Sequence, residues 1–87
     1  KLLDARMALS RLEPGGSAEH PIEVSTASLV EPTARAMPCP ACGGHVRVRD
    51  HTAETIAGRR LRVAKVDCAR CGTEVSRYFT IAEPRLN

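Results

Sequence analysis

The first apolar positions of the chain repeat with helical spacing. Leu2, Ala5, Leu9 and Leu12 are separated by three, four and three residues, with Leu3 and Met7 beside them. Lys1, Asp4, Arg6, Ser10 and Arg11 take the opposite face. This pattern predicts a short helix, which Pro14-Gly15-Gly16-Ser17 stops. A helix of about a dozen residues is marginal in water. Its leucine stripe therefore needs a surface: its own domain, a protein partner or a second copy. Residues 13–21 read as a flexible linker. Ile22 and Val24 alternate with Glu23 and Ser25, as in a short strand. Ser25 to Val30 follows neither period, and Pro32 and Pro38 interrupt regular structure. The expectation for this stretch is an extended arm, able to add a strand to its own sheet or to another chain.

Beyond residue 36 the period changes to two. Val46 and Val48 alternate with Arg47 and Arg49, and Ala57-Gly58 offers a tight turn. Arg59 to Asp67 resumes an extended pattern whose apolar phase slips. Leu61 and Val63 share one face and Val66 and Cys68 the other, which predicts a bulge near Ala64. In a third run over 74–82, Val75, Phe79 and Ile81 share a face on which Arg77 is the exception, and Pro84 ends the run. The domain reading is an N-terminal helix, linker and arm over 1–36, followed by a β-rich unit over 37–87.

Composition explains why such a unit needs help to fold. Leu, Ile, Val and Phe total 18 of 87 residues, with one Tyr and no Trp. That is close to the level below which chains fail to order themselves. A metal or cross-link is the usual remedy. No apolar run approaches a membrane span, no leader-like apolar segment opens the chain, and the size argues against an enzyme with a deep cleft. The start at Lys1 rather than Met suits a piece of a longer protein.

All four cysteines lie in the second part, as Cys39-Pro40-Ala41-Cys42-Gly43 and Cys68-Ala69-Arg70-Cys71-Gly72. A C-x-x-C turn aims two sulfurs at one point, and the following Gly lets the chain leave in a conformation other residues resist. Two such turns facing each other supply a tetrahedral thiolate set, which suits Zn²⁺ in softness and geometry. The intervening segment is long enough for a complete hairpin. Iron in the same cage and a pair of disulfides are the competing readings. A redox C-x-x-C of the thioredoxin type requires a βαβ scaffold this chain is too short to build.

These motifs resemble the zinc ribbon family. Cys39, Pro40, Cys42 and Gly43 match its first knuckle, and Cys68, Cys71 and Gly72 its second, with Ala69 in place of a frequent Pro. The resemblance covers residues 37–82. It implies a small, β-rich, metal-stabilised domain: a three-stranded antiparallel ribbon around one structural Zn²⁺, here preceded by a helix and an extended arm. Members of that family serve as nucleic-acid-binding or protein-docking modules. Rubredoxins hold iron in a similar cage but pack several aromatics against it, where this chain has only Tyr78 and Phe79.

Four thiolates saturate zinc and leave no position for water, so no hydrolytic chemistry is expected. His20, His45 and His51 read as surface or supporting residues. Arg47, Arg49, Arg59, Arg60, Arg62 and Lys65 cluster on the expected hairpin and are the candidate nucleic-acid contacts. A zinc–thiolate centre lowers the formal net charge of +3 to about +1, which weakens that reading. Too few aromatics are available to stack bases. Leu2, Leu9 and Leu12 are the candidate partner-binding residues. The expected function is thus a non-catalytic, zinc-binding interaction module that docks on a protein partner or a second copy, with nucleic acid as the alternative. No membrane or small-molecule substrate is expected, and the reduced thiols suit the cytoplasm.

Overall fold

The computed structural model describes residues 2–82, with side chains from residue 5 onward. Leu2 of the leucine stripe, as a side chain, and Pro84 lie outside the described residues. Helix α1 spans Leu2–Leu12. Strand β1 (Ile22–Val24) leads into a 3₁₀ turn (Ala27–Leu29) and helix α2 (Val30–Ala36). Strands β2 (Val46–Ile56), β3 (Arg59–Cys68) and β4 (Glu74–Ile81) follow.

The sheet has four strands in the order β1-β4-β3-β2 and is mixed, not the expected three-stranded antiparallel ribbon. β2, β3 and β4 form the antiparallel meander. β1 adds to the outer edge of β4 in parallel, with Ile22 beside Phe79 and Val24 beside Ile81. The alternation of Ile22 and Val24 supplies this strand, and the edge of β4 supplies its partner.

The arm is extended only where it forms β1, and it turns helical from Ala27 onward. Pro32 is the third residue of α2, in the first turn, where the missing N–H would have no intrahelical acceptor in any case. Read as a breaker, it is in fact tolerated. Val30 and Ala34 are fully buried and face the sheet. They join Val24, Val46, Ala64, Val66, Phe79, Cys39 and Cys68 in one cluster, which runs across residues 36 and 37 without a break. His51 Nδ1 lies 3.2 Å from Glu31 Oε2 and ties α2 to β2.

The linker is fastened to the sheet as well. The Tyr78 N–H donates to the Gly15 carbonyl at 2.9 Å, so the segment is pinned to β4 at Gly15 rather than hanging free.

The irregularity falls in β2, not near Ala64. Val48 pairs with Val66 and Asp50 with Lys65, leaving Arg49 as the extra residue. This insertion keeps both Val48 and His51 on the face that α2 covers. The phase slip in β3 has another cause. β3 is an inner strand, and Leu61, Val63, Ala64 and Val66 are buried on alternate faces.

Candidate metal centre

Each knuckle is built by the same local bonds. In the first, Gly43 N donates to Cys39 O at 2.8 Å and Cys39 N to Gly44 O at 3.0 Å. In the second, Gly72 N donates to Cys68 O at 3.0 Å and Cys68 N to Thr73 O at 2.9 Å. Gly43 and Gly72 leave their turns at φ 76° and 79°, the left-handed region that penalises a side chain. The two turns meet because Cys68 ends β3 directly opposite Val46 at the start of β2. The Ala69 amide then donates to His45 O at 3.0 Å across the gap.

The four sulfurs lie within 4.8 Å of one another. Cys39 Sγ is 3.7 Å from Cys71 Sγ, and Cys42 Sγ is 3.5 Å from Cys68 Sγ. Zn–S bonds of about 2.3 Å at tetrahedral angles place sulfurs about 3.8 Å apart. The arrangement therefore fits one tetrahedral metal ion. All four cysteines are free thiols. Backbone amides point at them: Ala41 N to Cys39 Sγ at 3.4 Å, Gly44 N to Cys42 Sγ at 3.4 Å, and Arg70 N and Cys71 N to Cys68 Sγ at 3.3 and 3.4 Å. Such donors favour the thiolate.

The ionisation of the four sulfurs is uneven. The Thr73 hydroxyl, 3.1 Å from Cys71 Sγ, and then the Thr73 amide hold the Cys71 thiol down at about 6. The amide of Cys71, then that of Arg70, lowers Cys68. At Cys42 the Gly44 amide acts downward, but the neighbouring sulfurs of Cys68, Cys71 and Cys39, together with burial, push it up to about 12. Four negative charges this close do not coexist near neutrality without a cation among them. The donor set thus fits a metal ion in charge as well as in shape.

The sequence singled out all four of these cysteines, and the fold brings them together. It does not bring the six basic candidates onto one surface. In β3, Arg60 and Arg62 alternate with Arg59 and Lys65, so the two pairs point to opposite faces. Arg47 and Arg49 converge on Asp67, with nitrogen–oxygen distances of 3.3 and 3.7 Å. Leu9 and Leu12 stay 60% and 69% exposed on α1. The side chain of Arg6 anchors that helix to the first knuckle through Ala41 O at 3.0 Å.

Three residues around the centre escaped the sequence reading as site residues. Thr73 sets the ionisation of Cys71. Gly44 leaves room for Cys68, since a Cβ there would stand 3.1 Å from its sulfur. Arg77, visible in the sequence only as a polar exception, is buried beside Cys39. No protein-family model, curated protein or solved structure significantly matches this chain.

Proposed function

We propose that this chain is a zinc-ribbon-like interaction module. One structural Zn²⁺ held by Cys39, Cys42, Cys68 and Cys71 closes the sheet end, and α1 presents leucines to a protein partner. Four thiolate ligands leave zinc no open position, so the metal's part is folding rather than catalysis. Reduced thiols and zinc favour the cytoplasm. Elemental analysis of the purified chain tests the metal. Iron in place of zinc would make the domain an electron carrier of the rubredoxin kind.

The observation that carries the docking role is the exposure of Leu9 and Leu12. Each leucine gains about 1.5–3 kcal/mol when it leaves water, and a helix this short needs that gain to be stable. Removal of residues 1–12 stops short of Gly15 and its bond to Tyr78. The truncated chain is expected to keep its metal content while losing self-association and partner capture, as read by sedimentation and pull-down. Unchanged association in the truncated chain contradicts the role given to α1.

A second reading has its own support. Arg59 and Arg60 are exposed beside the β2–β3 turn, and none of the ion pairs among the described residues engages them. Free cations on a projecting hairpin suit phosphate. This reading predicts salt-sensitive binding that weakens when Arg59, Arg60 and Arg62 become Ala. No gel shift at low salt contradicts it.

A further inference from the structure

Arg77 sits on the core face of β4, opposite Ala64, with only 5% of its surface exposed. One guanidinium nitrogen donates to Pro38 O at 2.9 Å, the carbonyl immediately before Cys39. Its Nε is buried with no partner. None of the ion pairs among the described residues includes Arg77. With Cys39 and the exposed Glu13 it lines a cavity of about 320 Å³ beside the first knuckle. A buried guanidinium without an anion is costly, because its lost hydration is not replaced. The fold nevertheless keeps it here, against a sulfur cluster.

A divalent ion ringed by four thiolates is itself short of positive charge, carrying two net negative charges. Each group supplies what the other lacks. We infer that Arg77 is the fixed counter-cation of a dianionic metal–thiolate centre, positioned by Pro38 O and held beside Cys39. The assignment rests on the metal reading above and adds the charge state of the loaded site. Burial alone lowers the tendency of Arg77 to stay protonated, while Cys39 and then Glu13 act in the opposite direction. Arg77 is thus a positioning residue that acts on the sulfurs by its charge, while its hydrogen bond goes to Pro38 O.

The test uses the full chain with zinc and a chromogenic competing chelator. Groups outside the ligand set are worth about 10–100-fold in metal affinity. Arg77→Met keeps similar bulk without charge and is expected to weaken zinc binding by about that factor. Arg77→Lys keeps the charge and is expected to retain most of the affinity. The same variants loaded with iron give a second readout, which a purely packing role would not move. Loss of a nearby positive charge stabilises the ferric form, so the midpoint potential shifts negative in Arg77→Met and stays near wild type in Arg77→Lys. Should Arg77→Met fail to fold, Arg77→Gln, which retains a donor for Pro38 O, takes its place. Wild-type affinity and potential in the neutral variant overturn the assignment while leaving the metal reading intact. A Lys variant as weak as the neutral one also overturns it. A wild-type chain that takes up no metal overturns both.

Discussion

The Thr73 hydroxyl sets the two knuckles apart: their backbone bonds match, but glycine occupies the equivalent place, Gly44, in the first. Cys71, held at about 6 by Thr73, is mostly thiolate at neutral pH, where an ordinary thiol is mostly protonated. Metal ligation requires thiolates, so acid releases the ion. A depressed thiol keeps its contribution above its ordinary titration range and loses it only as the pH falls through about 6. Thr73→Val removes the principal downward influence. Its metal-release midpoint is therefore expected at higher pH than wild type, as followed by a zinc dye during acid titration. A midpoint at unchanged or lower pH contradicts the role given to the hydroxyl. Gly44→Ala acts by size instead. Its new Cβ meets Cys68 Sγ at 3.1 Å and Arg70 Cβ at 3.0 Å, so the sulfur must move. Weaker zinc binding with little change in helix and strand content is expected, from chelator competition and circular dichroism. The cysteines were legible in the sequence because each C-x-x-C-G turn is a local device whose geometry depends on neighbours in the chain. Arg77 was not legible as a site residue, because its role arises only when β4 is set beside the first knuckle, 39 residues away in sequence. Thr73 lies two residues from Cys71, but its residue type alone does not mark it as a partner of the sulfur.

Among the elements, legibility followed sequence distance. The β2–β3 hairpin was readable from its alternation and its Ala57-Gly58 turn. Both turn residues have positive φ, 51° and 80°, which suits a two-residue hairpin but strains an alanine. Ala57→Asn, which tolerates that region better, is expected to stabilise the domain by about 1 kcal/mol in chemical denaturation. Helix α2 was hidden by Pro32, whose effect depends on where the helix begins, and nothing local fixed that point. The parallel pairing of β1 with β4 joins residues about two-thirds of the chain apart, and period-two spacing in Ile22 and Val24 cannot name its partner. The slip in β3 looked like a bulge because an inner strand buries both faces, while the actual bulge at Arg49 sits where the alternation seemed regular.

At the scale of the molecule, one small apolar cluster is continuous with the metal site. Phe79 is its only aromatic, fully buried among valines, alanines and the sulfurs of Cys39 and Cys68. Phe79→Ala is expected to cost about 3–5 kcal/mol, a large share of the stability of a domain this size. On the proposed reading, a metal held by the four cysteines compensates for that thin interior. Structural zinc contributes on the order of 10 kcal/mol, and about 1 kcal/mol shifts the melting point of a domain of this length by about 4–8 °C. The most direct measurement is a thermal melt of the purified chain by circular dichroism, with and without a strong chelator. The account predicts that chelation lowers the melting temperature by more than about 20 °C or abolishes the cooperative transition, and that added zinc restores it. An identical spectrum and melting curve after verified metal removal contradicts it.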